Sequence, residues 1–229
     1  MDAVTHNNPI TAALATCHLF KTVEWHTIQL LTKEANLVFY ERGQTIFQSG
    51  ASDVSLFLVK SGQVKLSILS SNGSERVIDV VSAGGTFGES ALFSSQLNKL
   101  SGSMLKKGEL IEIPKNTVNS AVKSCPMLAM AMLNYMGGKI DRLVSELENC
   151  CLRSARQRVV DYLLMQVKEQ QEQEDQIQEI LLTASKGITA SLLDITPETF
   201  SRELHHLMNL GLIEVARKSI KILDLAGMR

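Results

Sequence analysis

One short run concentrates the residues best suited to chemistry: Thr196-Pro-Glu-Thr-Phe-Ser-Arg202, followed by Glu203-Leu-His205. Thr196 suits a helix cap, Pro197 a first turn, and Glu198 and Thr199 complete a helix start. On the helix so begun, Phe200, Leu204, Leu207 and Met208 share one face. Glu198, Ser201, Arg202 and His205 share the other, at spacings of three, one and three. The apolar stripe would anchor the helix, leaving the polar stripe to form hydrogen bonds with a partner. In the major groove of double-stranded DNA, Arg matches guanine O6 and N7, Glu accepts from the cytosine amino group, and Ser contacts base or phosphate. This is the chemistry of a recognition helix.

Such a helix needs support. Ile188-Thr-Ala-Ser-Leu-Leu193 reads as the supporting helix and Asp194-Ile195 as the tight turn. Downstream, Leu212-Ile-Glu-Val215 and Ile220-Lys-Ile-Leu223 flank Ala216-Arg-Lys-Ser219, a hairpin with the form of a wing. Its Arg217 and Lys218 are placed to touch phosphates. The formal net charge of −1 argues mildly against a nucleic-acid partner. The basic charge is local, however, and the acidic stretch around Glu169-Gln-Gln-Glu-Gln-Glu-Asp-Gln176 offsets it in the sum.

The rest of the chain divides by texture. Residues 9 to 33 read as helix with a break near Phe20-Lys-Thr22. From Asn36 to Ile113, short Val-, Ile-, Leu- and Phe-rich stretches alternate with glycine turns, the pattern of a β-sandwich or roll. Ser61-Gly-Gln63 marks one turn. Asn72-Gly73 marks a hairpin, and Pro114 ends the strands. Pro126 opens a long helix on which Met132, Met136, Ile140, Leu143, Leu147 and Cys151 recur at spacings of four, four, three, four and four. That is an apolar seam of the coiled-coil kind, flanked by Lys139, Asp141, Arg142, Glu146 and Glu148. At about 26 residues the helix would span about 39 Å, more than a small roll can cover. Pairing with a second copy is the preferred reading, and burial within its own domain the alternative.

Composition is that of a globular chain, 45% hydrophobic and 21% charged over 229 residues. No apolar run approaches a membrane span, and Met1-Asp-Ala-Val-Thr-His6 lacks the features of a secretion signal, so the expected place is the cytoplasm with no membrane partner. Cys17, Cys125, Cys150 and Cys151 show no metal-site or thioredoxin-like spacing and are expected to be free thiols. No nucleophile–base pair, metal cluster or phosphate loop is visible, so no enzyme, catalytic residue or metal ligand is expected.

These motifs carry a resemblance. From about Leu19 to Leu223 the chain resembles the CRP/FNR family of transcription regulators, through Lys60-Ser-Gly-Gln-Val-Lys-Leu66, Gly85-Thr-Phe-Gly-Glu-Ser-Ala-Leu-Phe93, the long helix, and Pro197-Glu-Thr-Phe-Ser-Arg202. The resemblance implies an α+β chain with a cyclic-nucleotide-binding-like β-roll, a long dimerisation helix and a C-terminal winged helix–turn–helix. The expected boundaries are a sensor domain at 1–124, the helix at 125–152 and the DNA-binding domain at 153–229. In the fumarate–nitrate branch, Glu, Ser and Arg in the pattern E-x-x-S-R read TTGAT-type half-sites, and Glu198, Ser201 and Arg202 match that pattern. Thr199 and His205 join them as expected DNA contacts. The implied partners are double-stranded DNA, a second copy of the chain, and RNA polymerase.

For the effector, Gly88 and Glu89 match the pair that binds ribose in cyclic-AMP receptors. Where those receptors carry the Arg-Ser pair that holds the phosphate, this chain reads Asn98-Lys99-Leu100. Lys99 supplies charge without a bidentate fork, and Leu100 has no hydroxyl. An iron–sulfur cluster needs closely spaced N-terminal cysteines, and only Cys17 stands there, so none is expected. The chain looks most like the dissimilatory nitrate respiration branch, which senses nitric oxide through haem. On that reading His18 is the candidate haem ligand, with Cys17 and His26 as further candidates. The alternatives are a cyclic-nucleotide-responsive regulator, or a cyclic-nucleotide-binding module without DNA function, against which the complete helix–turn–helix argues.

Overall fold

A computed structural model describes residues 8–52, 54–70, 73–94, 97–170, 179–182, 184–216 and 219–228. The chain forms two compact units, Met1–Asp141 and Arg142–Arg229, with the division falling inside the long helix.

The first unit opens with α1 (Pro9–Thr16), a single 3-10 turn (His18–Phe20) and α2 (Trp25–Glu34). The break expected near Phe20 is therefore present. Eight strands follow: β1 (Asn36–Tyr40), β2 (Thr45–Phe47), β3 (Leu56–Val59), β4 (Gln63–Leu69), β5 (Glu75–Ser82), β6 (Thr86–Phe87), β7 (Ser101–Lys106) and β8 (Gly108–Ile113). They make two antiparallel sheets, ordered β1-β8-β3-β6 and β2-β7-β4-β5. β3 and β4 are consecutive but lie in different sheets, so the turn at Ser61-Gly62 carries the chain across the roll. Gly62 has φ +88°, and a Cβ there would stand 2.6 Å from the Lys106 carbonyl oxygen. Only glycine fits. β4 and β5 pair as the predicted hairpin; Gly73 is at its turn, while Asn72 lies outside the described residues.

β3 reads as an unbroken apolar run because both its faces are covered. Phe57 and Val59 point into the roll with Val64, Leu66, Val81, Phe87, Met104 and Leu110. Leu56 and Leu58 point outward to a second core with Leu14, Phe20, Ile28, Leu31, Val118 and Leu128. Inside the roll, Phe57 and Phe87 stack with ring centroids 4.8 Å apart and Phe47 lies 6.0 Å from Phe57.

Two helices of this unit had no counterpart in the sequence reading: α3 (Glu89–Phe93) and α4 (Lys115–Ser124). α3 is barely one turn long. α4 presents only Val118 and Ala121 as fully buried residues, too sparse a stripe for periodicity to register. α5 then runs from Pro126 to Leu152, 27 residues.

The second unit contains α6 (Ala155–Gln170), β9 (Glu179–Leu181), α7 (Lys186–Leu192), α8 (Pro197–Asn209), β10 (Ile213–Val215) and β11 (Ser219–Ile222). The strands form one antiparallel sheet, ordered β10-β11-β9. Its core joins Val159, Leu163 and Val167 to Ile180, Ala190, Phe200, Leu204, Leu207, Ile213 and Ile220. Most of the acidic tract after Glu169, at 171–178, lies outside the described residues.

Candidate functional site

Local chemistry builds α7, the turn and α8. Ser185 caps α7 by accepting from the Ile188 N–H at 3.4 Å, and Thr196 caps α8 by accepting from the Thr199 N–H at 3.2 Å. Between them Asp194 adopts φ +55°, the described non-glycine residue with a left-handed backbone. A cation from α6 holds this turn: Arg158 Nη1 donates to the carbonyls of Leu193 at 2.7 Å and Asp194 at 3.0 Å. Sequence reasoning missed Arg158, because its partners lie 35 and 36 residues away.

Burial orients α8. Phe200, Leu204 and Leu207 are sunk in the core, and Glu203 accepts from Arg156 Nε at 3.2 Å. Met208, expected on the same apolar face, is 39% exposed and sits at its edge. On the opposite side Glu198, Ser201, Arg202 and His205 are all exposed, while Thr199 is half-buried. The Arg202 side chain is 72% exposed, and its Nε lies 3.8 Å from the Glu203 carboxylate. The Glu198 carboxyl is held below its usual range by a hydrogen bond from its own backbone N–H and another from Thr196. β10 and β11 pair as a hairpin closed by the Ala216 N–H donating to the Ser219 carbonyl at 2.9 Å. Arg217 and Lys218, at its tip, lie outside the described residues.

In the first unit the structure joins Gly88 and Glu89 in one turn. Gly88 has φ +95°, and a Cβ there would meet the Ser55 carbonyl oxygen at 2.3 Å, so backbone packing alone demands glycine. Glu89 is 5% exposed, and both carboxylate oxygens are engaged. Oε1 accepts from the Thr86 hydroxyl at 2.5 Å and Oε2 from Lys139 Nζ at 3.0 Å. Lys139 was visible in the sequence only as a charge flanking the seam. Lys99 is exposed, and its neighbour Asn98 is spent on the loop, with Nδ2 donating to the Leu100 carbonyl at 2.8 Å. A cleft of about 380 Å³ lies between α2 and α4, lined by Leu30, Lys33, Glu34, Asn116 and Ser120, and none of the predicted effector residues borders it.

The haem reading meets a poor fit. His18 is exposed at the start of its 3-10 turn, whereas Leu19 and Phe20 beside it turn into the core. A macrocycle bound at His18 would find those apolar neighbours already buried. Cys17 is also in the core, its Sγ donating to the Gly84 carbonyl at 3.7 Å, and burial pushes its thiol pKa up. A thiol so held is a poor thiolate ligand. His26 is exposed on α2.

The predicted seam splits. Met132 is 2% exposed and belongs to the core of its own unit, where it packs with Leu128, so it is withdrawn from any pairing surface. Met136 is half-buried. Ile140, Leu143 and Leu147 are 58%, 50% and 64% exposed, with Val144 beside them.

Comparison with known proteins decides what this arrangement is. Residues 37–125 match the cyclic nucleotide-binding domain, and residues 157–229 match the Crp-like helix–turn–helix domain. The chain belongs to the CRP/FNR family of transcription regulators. Among CRP/FNR proteins it is 23% identical to a CRP-like cAMP-activated global transcriptional regulator of Mycobacterium tuberculosis, over 92% of this chain and 94% of that one. It is 25% identical to the fumarate and nitrate reduction regulatory protein of Escherichia coli, over 80% and 72%. The fold matches that of the c-di-GMP-responsive global regulator CLP of Xanthomonas campestris, with a TM-score of 0.74 at 19% identity over 88% and 100%. α7, the turn and α8 are thus the helix–turn–helix of a DNA-binding regulator. The family is one of transcription regulators rather than enzymes. Among the described residues no helix is long and apolar enough to cross a membrane.

Proposed function

We propose that this CRP/FNR protein binds, as a homodimer, an inverted repeat of TTGAT-like half-sites, reading bases with Glu198, Ser201 and Arg202. The observation that carries the reading is the exposure of these three side chains on one face of α8, opposite Phe200, Leu204 and Leu207. Arg202 would donate to guanine O6 and N7, Glu198 would accept from cytosine N4, and Ser201 would bond base or phosphate. Thr199, between Glu198 and Ser201, and His205 would add contacts, and Arg217 and Lys218 would take phosphates from the wing.

Dimerisation is assigned to the exposed stripe Ile140, Leu143, Val144 and Leu147 of α5, with Met136 at its edge. Fully burying such a side chain contributes roughly 1.5–3 kcal/mol. Each of the four is half or more exposed, so pairing would recover roughly half or more of that per residue before the cost of association. Pairing there would set two α8 helices about 34 Å apart, one turn of DNA. Bound in this way, the dimer would act on RNA polymerase at the neighbouring promoter. The sensor unit would control activity by favouring one of two arrangements of the pair.

The test is a gel shift on a duplex carrying TTGAT and ATCAA separated by four base pairs. One shifted band is expected, of the stoichiometry of two chains per duplex. Deleting one half-site should weaken it on the order of a hundredfold, since half the base contacts go. Equal binding to the half-deleted and scrambled duplexes would reject the reading.

A further inference from the structure

We propose that Lys139 acts as a built-in ligand: its ammonium occupies the Glu89 carboxylate and fastens α5 to the 85–93 turn of the roll, in place of an external effector. The resemblance leads one to expect Glu89 to face a small molecule. Instead the carboxylate is buried and fully engaged from within the chain, by Thr86 on one oxygen and Lys139 on the other. Lys139 Nζ also donates to the Thr86 carbonyl at 3.3 Å and stands 5.0 Å from the centroid of the Tyr135 ring. The ammonium thus has a carboxylate, a carbonyl and an aromatic face around it, which is the make-up of a receptor site for an organic cation.

The coupling follows from the cost of burial. A carboxylate this deep is tolerated while paired, and removing its partner leaves an uncompensated charge. Glu89 sits at the start of α3, directly after the glycine whose backbone presses on Ser55. Lys139 lies one residue before Ile140, among the exposed apolar residues of α5 that run from Met130 and Leu133 to Leu147. The pair therefore fixes the rotation of α5 beside its exposed apolar residues. A cyclic nucleotide seeking Glu89 would have to displace Lys139 first.

Hydrogen exchange on the full chain tests this independently of DNA binding. Lys139→Ala should speed exchange about tenfold or more at amides of 86–93 and 135–141, the effect of losing a hydrogen bond to a charged group, while β3 and β8 amides keep their rates. n-Propylammonium chloride, which replaces the deleted methylenes and ammonium, should restore protection at both segments; sodium chloride at equal ionic strength should not. Lys139→Arg should retain protection. Glu89→Gln should lose it without response to propylammonium, and millimolar cyclic AMP should leave the wild-type pattern unchanged. Unchanged exchange in Lys139→Ala, equal restoration by the two salts, or added protection from cyclic AMP would each overturn the proposal. If Lys139→Ala does not fold, the Glu89→Gln and Lys139→Arg contrast decides the matter alone.

Discussion

Replacing Arg158 with methionine removes the cation that spans the turn between α7 and α8 but keeps most of its apolar stem. The Arg158 side chain is 15% exposed, and its guanidinium donates to two carbonyls and lies 3.9 Å from the Asp194 carboxylate. Each charge-assisted bond removed costs about 1.5–3 kcal/mol when its acceptor stays dry. Asp194 is exposed, so its carbonyl regains water and its share falls towards the bottom of that range. Against the loss stands a gain: Arg158 Nε is buried without a hydrogen-bond partner among the described residues, and deleting it returns about 1–3 kcal/mol. The net is a destabilisation of about 2 kcal/mol, concentrated where Asp194 holds its left-handed backbone. Native-state hydrogen exchange at α7 and α8 amides should report roughly a 30-fold loss of protection. Arg158→Lys, a single-point donor that cannot bridge both carbonyls, should fall between. Protection within about threefold of wild type would refute the clamp.

Phe200→Ala should unfold α8 from its unit at a cost of about 3–5 kcal/mol, seen as loss of helical signal at lower denaturant; a shift matching that of an exposed-site substitution would refute the burial. Glu75, held below its usual pKa by hydrogen bonds from Lys65 and Ser67, contributes stability above its unfolded pKa, lost as pH falls through the lower folded value. Wild type should therefore lose more stability than Glu75→Gln on acidification below about pH 4.5, and parallel melting curves would contradict this. Adding haemin to the purified protein should leave a free-haemin spectrum; a sharp Soret band abolished by His18→Ala would restore the haem reading.

What could be read from the sequence was whatever local spacing encodes. Thr196, Pro197 and the three- and four-residue spacing of Phe200, Leu204 and Leu207 specify α8 and its faces without reference to the rest of the chain. The same holds for the β4–β5 hairpin. Contacts between distant residues were hidden. Arg158 reaches Leu193 and Asp194, and Lys139 reaches Glu89 across 50 residues, and neither carries a periodic mark. Periodicity also could not say which apolar positions their own unit would claim. Met132 and Leu147 belong to one seam by spacing, yet one is core and the other 64% exposed. His18 entered as a ligand through the resemblance alone, and no local spacing could show that the 3-10 turn sends Leu19 and Phe20 inward and leaves His18 exposed.

The most direct test of the central claim pairs a base change with a side-chain change. Wild type and Arg202→Ala are titrated by fluorescence anisotropy against the TTGAT inverted repeat and against the same duplex with the G·C pair of each half-site replaced by A·T. Wild type should lose about 1–3 kcal/mol per half-site on the altered duplex. Arg202→Ala should bind the original duplex more weakly and no longer distinguish the two. Equal weakening of Arg202→Ala on both, with the wild-type preference intact, would make Arg202 a phosphate contact and contradict the assignment of α8 as the reader of sequence.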